Sequence, residues 1–366
     1  MLRAAPGLLR PAIRPLPPEA VDRIAAGEVV ERPASALKEL VENALDAGAA
    51  RVDVAYAGGG QALLRVSDDG CGIPPEELPL ALARHATSKT DGGDLHAVLT
   101  FGFRGEALAS LASVSRLTLT SRVRGRDGAE LRAEGGRLGE VRPAAAAPGT
   151  VVEVRDLFFA TPARLAFLKS PRWEAQGLAE ALRRLALARP DVAFSLRDLT
   201  EGDRLVLRLD AEGGEGAARA RVGAVMGRAF ARAAVAFEEA RGGLRVWGLV
   251  APPQEARGQA VQHLVVNGRP VRDRLLAGAL RAGCADAAPK GHLAAALFLE
   301  ADPRGVDVNV HPAKAELRFR EGAEVRALVV GALRRALAAH LAPPDALRRA
   351  ALGLLRAPGP APAAPP

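Results

Sequence analysis

The chain has 366 residues, of which 49% are hydrophobic and only 4% aromatic, and a formal net charge of +8. That apolar share excludes wholesale disorder, the length fits two domains, and the scarcity of rings argues against recognition by exposed aromatic stacking. No apolar run is long enough to span a membrane, the first dozen residues lack a signal-peptide pattern, and two cysteines, Cys71 and Cys284, make no disulfide framework or metal spacing, so the chain reads as cytoplasmic.

In chain order, residues 1–14 read as a loose arm. A helix pattern opens near Pro18 and runs through Val21, Ile24 and Val29, interrupted at Gly27. The clearest helix is Pro33 to Ala47, with Pro33 at its first position and Gly48 where a left-handed cap is wanted. Strands are predicted at 51–56 and 62–67, a helix at 75–84, and a long loop over 86–106. Strands return at 115–123, 129–133 and 150–155, then a helix at 172–188. Strands cluster without strict alternation, which points to an α+β sandwich with helices on one face of a mixed sheet. The Gly-rich stretch Asp210–Gly216 is the domain boundary. Beyond it, strands at 244–250, 261–267, 293–300 and 315–320 and helices at 272–283 and 323–341 form a second, smaller α/β unit. From Leu341 the chain turns Pro/Ala-rich and reads as the start of a linker.

On a helical wheel, Leu37, Leu40, Val41, Ala44 and Leu45 share one face of the 33–47 helix. Glu39, Asn43 and Asp46 share the other, with Glu42 beside them. An ordinary amphipathic helix would make this a solvated face. Its distinction is a stripe of acids and an amide with no Lys or Arg at i+4 to pair it, which suits a hard divalent cation. Next, Val66-Ser-Asp68-Asp69-Gly70-Cys71-Gly72-Ile73 ends an apolar strand in two acids and two glycines. This is either a plain turn or a buried Asp accepting from an exocyclic amine, with glycines admitting a flat ring. Finally, Arg84-His85-Ala-Thr87-Ser88-Lys89 and Gly102-Phe103-Arg104-Gly105-Glu106-Ala107-Leu108 offer backbone N–H groups before a helix, a phosphate-binding arrangement. No Walker-type loop occurs, so any nucleotide site is of another kind.

These segments, with Gly149-Thr150, stand in the order of the four boxes of the GHKL ATPase superfamily. Within it, Ile24-Ala-Ala-Gly-Glu-Val-Val-Glu-Arg-Pro-Ala-Ser35, Arg84-His-Ala-Thr-Ser-Lys89, Gly102-Phe-Arg-Gly-Glu-Ala-Leu108 and Asn309-Val-His-Pro-Ala-Lys314 resemble the N-terminal half of the MutL family of DNA mismatch repair proteins, over about residues 13–340. One departure is Asp69, where members often carry Asn. The resemblance implies a Bergerat-type ATPase domain over 24–210 preceded by an arm (1–23), a ribosomal-protein-like transducer and DNA-contacting domain over 217–340, and a linker from 341.

It also implies ATP and Mg²⁺ as cofactors. Glu39 would be the general base and Asn43 the Mg²⁺ ligand, with Asp46 in support. Asp68 would accept from the adenine amine, steadied by Thr150, with Gly70, Gly72 and Ile73 around the base. Thr87, Ser88, Lys89, Gly102, Phe103, Arg104, Gly105, Ala107 and Leu108 would form a lid over the phosphates, and Lys314 would reach the γ-phosphate. His85 and His311 are expected to order loops. ATP would drive dimerisation of two such halves into a DNA clamp working with MutS and a downstream repair nuclease or helicase. The basic excess lies wholly in the second part: residues 1–210 balance 28 Lys+Arg against 28 Asp+Glu, whereas 211–366 hold 22 against 14. Arg269, Arg272, Arg274 and Arg281, opposed only by Asp273, are therefore DNA-contact candidates, with Arg164 a further one. A type II topoisomerase ATPase half shares much of this pattern, but its lid and start motifs differ. A non-hydrolysing nucleotide platform is disfavoured by Glu39. Endonuclease activity is not expected of this segment.

Overall fold

The computed structural model describes residues 14, 15, 17–84, 86–89, 105–251, 261–285, 294–307 and 317–341. They form two compact units. One holds the described residues up to Leu182 together with Phe194–Arg208. The other holds Arg183–Ala193 and the described residues from Leu209 on, so it reaches back to a segment that the sequence reading left in the first domain.

The first unit contains α1 (Pro18–Val29), α2 (Pro33–Asp46), β1 (Arg51–Ala57), β2 (Leu63–Asp68), the single turn α3 (Leu78–Ala81), α4 (Ala107–Val114), β3 (Arg116–Arg122), β4 (Ala129–Glu134), the short β5 (Arg137–Leu138) and β6 (Arg142–Pro143), β7 (Gly149–Arg155), α5 (Pro162–Phe167), the part of α6 (Pro171–Ala188) up to Leu182, and, but for their end residues Ala193 and Leu209, β8 (Ala193–Asp198) and β9 (Arg204–Leu209). Its sheet runs β5-β4-β3-β7-β2-β1-β8-β9, with β6 on β4. The pairings from β5 through β1 are antiparallel.

Register makes one face of this sheet a set of rows. Tyr56, Leu64, Val154, Leu117 and Ala133 align across β1-β2-β7-β3-β4, and so do Val54, Val66, Val152, Leu119 and Leu131. All ten are buried. α2 packs on β2 with Leu37, Leu40, Val41, Ala44 and Leu45 buried, each large side chain stabilising by about 1.5–3 kcal/mol. The helix ends as its sequence predicts: Gly48 has φ +73° and Ala49 N–H donates back to Ala44 O at 3.2 Å.

Three local expectations change. α1 runs unbroken through Gly27, where a Cβ would collide with the Arg164 guanidinium. The glycine makes room for a guanidinium rather than ending the helix. The predicted 75–84 helix shrinks to a 3₁₀ turn and α3, because Pro74, Pro75 and Pro79 restrict the backbone and remove donors. The short or edge elements α5, β8 and β9 carry too little periodicity to be read, and Leu205 on β9 is 48% exposed.

The second unit contains α7 (Ala217–Met226), α8 (Arg228–Ala233), β10 (Val235–Arg241), β11 (Leu244–Ala251), β12 (Gln262–Val266), β13 (Arg269–Val271), α9 (Arg274–Gly283), β14 (Ala294–Glu300), β15 (Val306–Asp307), β16 (Arg318–Phe319) and α10 (Gly322–Leu341). The sheet order is β10-β11-β14-β12-β13, with β12 and β14 parallel. Leu264, Leu297 and Leu299 pack with Leu276, Leu280, Val329 and Leu333 of α9 and α10. Val265, Leu249 and Phe298 pack with Val222 and Phe230 of α7 and α8. Phe298 stacks on Trp247 at 4.0 Å.

Arg221 of α7 is fully buried. Its guanidinium donates to the carbonyls of Ala186 (3.2 Å), Pro190 (2.8 Å), Val192 (2.8 Å) and Asp210 (2.7 Å). Burial holds its pKa below the usual arginine value. One cation thus gathers the 186–192 turn and the chain after β9. Arg221→Met keeps the volume and removes the donors, so it is expected to cost about 3 kcal/mol or more in thermal unfolding. A loss below about 1 kcal/mol would contradict this role.

Candidate functional site

The row beyond the two hydrocarbon rows changes character. Asp68 of β2 aligns with Thr150 of β7, and Thr150 with Ser121 of β3, flanked by Val52 and Ala129. Thr150 is 8% exposed and Ser121 fully buried. Gly70 N–H donates to Asp68 Oδ1 at 2.9 Å. Ser121 Oγ donates to Gly149 O (2.9 Å), accepts from Ile73 N–H (2.8 Å) and lies 2.9 Å from Thr150 Oγ1. Burial, the dominant influence, pushes the Asp68 carboxyl up to about 6. The Gly70 and Thr150 donors pull it down, and the neighbouring Asp69 charge adds to the rise.

Asp69 itself faces away. Its Oδ1 accepts from Ala50 and Arg51 N–H groups at 2.8 Å, fastening the start of β1, a job an Asn oxygen performs equally well. The two glycines are required by the protein's own packing. A Cβ on Gly72 (φ +75°) would meet Arg122 O at 2.2 Å, and one on Gly70 would meet Ala47 at 2.9 Å.

Ala47 joins the two halves of the site. Its carbonyl accepts from Cys71 N–H at 3.0 Å, so the loop after Asp68 sits on the C-terminal end of α2. On that helix the polar stripe is not unpaired, contrary to the wheel. Lys38 Nζ reaches Glu39 Oε1 at 3.1 Å and the Glu42 carboxylate at 3.0 Å. A lysine one residue before Glu39 and four before Glu42 was overlooked by looking only for cations at i+4. Glu42 is buried rather than solvated, and Lys38 compensates it. Burial works against the ammonium, but Glu42 and then Glu39 outweigh it and hold the Lys38 pKa above its usual value.

One turn on, Lys89 Nζ donates to Asn43 Oδ1 (2.8 Å) and Asp46 Oδ2 (2.5 Å). Asn43 and Asp46 therefore already hold a cation between hard oxygens, a donor set that fits magnesium. Among the described residues no group of three His, Cys, Asp or Glu is set to hold a metal.

Thr87 and Ser88 are exposed beside Lys89. Gly105 (φ +61°) lies so close to Ala86 that a Cβ would stand 2.2 Å from Ala86 O. Ala107 and Leu108 open α4, half-buried. The loop over 86–89 and the start of α4 are thus adjacent. Gly102, Phe103, Arg104 and Lys314, with His85 and His311, lie outside the described residues.

Arg164 is half-buried. Its guanidinium lies over Gly27, with Nη1 buried, because the missing Cβ leaves a seat there. In the second unit Arg272 and Arg274 are exposed and Arg269 half-buried. Arg272, Arg274, Arg281 and Arg184 line a cavity of about 380 Å³ floored by Leu264 and Val271. Asp273, among these arginines, is buried and caps α9 by accepting from Leu276 N–H at 2.8 Å.

A family model described as histidine kinase-, DNA gyrase B- and HSP90-like ATPase matches residues 31–132, and one for the DNA mismatch repair protein C-terminal domain matches 222–338. The MutL protein of Paramagnetospirillum magneticum is 57% identical over 332 residues, covering 89% of this chain and 54% of that protein. That of Rhodospirillum rubrum is 54% identical over 351 residues, covering 94% and 55%. The chain belongs to the MutL family of DNA mismatch repair proteins. The ATPase domain of Aquifex aeolicus MutL complexed with ADP matches with a TM-score of 0.58 at 28% identity, over 82% of this chain and 98% of that one. The first unit therefore has the GHKL ATPase fold, followed by a mismatch-repair C-terminal-type domain. The chain spans about half the length of the curated MutL relatives it matches.

The residue of this row that sequence reasoning missed is Ser121. Nothing distinguishes a lone serine in an alternating strand until register sets it beside Thr150. Titrating aspartate carboxyl carbons by NMR is expected to show Asp68 with a midpoint near 6, lowered in Asp69→Asn. A raised carboxyl pKa favours the protonated fold. This group's contribution to stability is thus greatest below the unfolded value of about 4, falls as pH rises to about 6, and is constant above. A midpoint in the ordinary aspartate range would contradict the burial argument.

Proposed function

We propose that this part of a MutL protein binds Mg²⁺–ATP between the Asp68–Thr150–Ser121 row and the polar face of α2, and hydrolyses it to switch a DNA clamp. The observation that carries the reading is the meeting of these two features at Ala47: an acceptor-lined buried row for a base beside a helix face already arranged around cations. The ADP complex of the related ATPase domain supports nucleotide as the ligand class.

Asp68 and Thr150 take the adenine edge. Asn43, supported by Asp46, holds the magnesium, which when bound offsets phosphate charge and orients the terminal phosphoryl group. Lys89 gives up Asn43 and turns its ammonium toward the phosphates. Thr87, Ser88, Gly102 to Gly105, Ala107 and Leu108 close over them. Glu39 accepts the proton of the attacking water, and Lys38 holds its carboxylate near the helix. Lys314 reaches the γ-phosphate, a role that rests on its motif alone. ATP then drives pairing of two such chains, with Arg269, Arg272 and Arg274 meeting DNA phosphates largely without sequence preference. MutS and a downstream nuclease or helicase are the proposed partners.

Phosphate release from the wild type and from Glu39→Ala, with ATP binding measured in parallel, tests this reading. The variant is expected to keep ATP binding and to lose turnover by about 10² to 10⁴-fold. Equal turnover in the two proteins would remove Glu39 from the chemistry.

A further inference from the structure

We propose that Ser121 is the positioning residue that sets base selectivity, by fixing the direction of the Thr150 hydroxyl. The inference rests on the nucleotide reading above and names what that site selects for.

A serine hydroxyl has one proton and two lone pairs. The Gly149 carbonyl can only accept, and it takes the Ser121 proton at 2.9 Å. The Ile73 N–H can only donate, and it takes one Ser121 lone pair at 2.8 Å. What Ser121 has left for Thr150 Oγ1 at 2.9 Å is a lone pair, so Thr150 is the donor in that contact. The Thr150 hydroxyl proton is therefore spent inside the protein, and the hydroxyl offers only lone pairs to a ligand.

Asp68, next in the row, is likewise an acceptor. Two adjacent acceptors suit a base that presents an amino group. They oppose one that presents a carbonyl oxygen at the same place, as hypoxanthine and guanine do. Without the Ser121 hydroxyl, Thr150 loses its acceptor and its proton is free to turn to the ligand, offering a carbonyl the donor it lacks. Ser121 is fully buried and touches no ligand itself. It acts through Thr150, from a strand not adjacent to that of Asp68.

The test is equilibrium binding of ATP and ITP to wild type, Ser121→Ala, Thr150→Val and the double variant. In wild type, ATP is expected to bind at least about a hundredfold more tightly than ITP, since a site built around a donor rejects the analogue that lacks it. In Ser121→Ala the ratio is expected to fall to about tenfold or less, chiefly by gain of ITP. In the Thr150→Val background, Ser121→Ala is expected to leave the ratio unchanged. A merely structural role would weaken both nucleotides equally. An unchanged ratio in a Ser121→Ala protein that binds ATP overturns the proposal. Failure of the wild type to bind ATP overturns the nucleotide reading and this inference with it. Should Ser121→Ala not fold, Ser121→Cys, a near-isostere with a poor hydrogen-bonding group, is expected to lower the ratio, and no change there is equally fatal.

Discussion

Three polar side chains share one row of a sheet face whose neighbouring rows are hydrocarbon. Leaving a hydroxyl unpaired in such a place costs about 1–3 kcal/mol, and a carboxylate costs more. The row is stable because each member satisfies another or the main chain. Asp68 takes the Gly70 N–H, Thr150 leans on Ser121, and Ser121 binds Gly149 and Ile73. The raised Asp68 pKa shows that the compensation is incomplete. A partly compensated acceptor at the end of a rigid sheet is what a hydrogen-bond donor on a ligand can complete.

The α2 face is governed by the complementary problem. Glu39, Glu42, Asn43 and Asp46 place several oxygens within two turns, and their mutual repulsion is met by Lys38 on one side and Lys89 on the other. The two lysines differ in consequence. Lys38 belongs to α2 and stays with it, whereas Lys89 comes from a loop and can leave. The site is thereby balanced in the absence of a ligand, and under the proposed function an incoming magnesium–nucleotide would exchange one set of charges for another rather than enter an uncompensated cluster.

Much of this was legible in the sequence, for identifiable reasons. α2 is announced by Pro33, by its apolar spacing and by Gly48. The Asp-x-Gly-x-Gly segment and the later lid motifs stand in family order, and the family itself follows from them. What was not legible depends on long-range register or on where a long side chain lies. Ser121 has meaning only beside Thr150. Lys38 escapes a search at i+4 because it precedes the acids it pairs. That the Arg164 guanidinium lies over Gly27, and that Arg122 and Ala47 stand against Gly72 and Gly70, depends on contacts distant in sequence.

The most direct test is to follow backbone amide resonances during titration with Mg²⁺–ADP. Shifts converging on Asn43 to Ala47, Gly70 to Ile73, Ser121 and Thr150 are the predicted result, because these segments surround one nucleotide. Perturbation confined to the arginine-lined cavity of the second unit, with the α2 end and the polar row silent, would contradict the account.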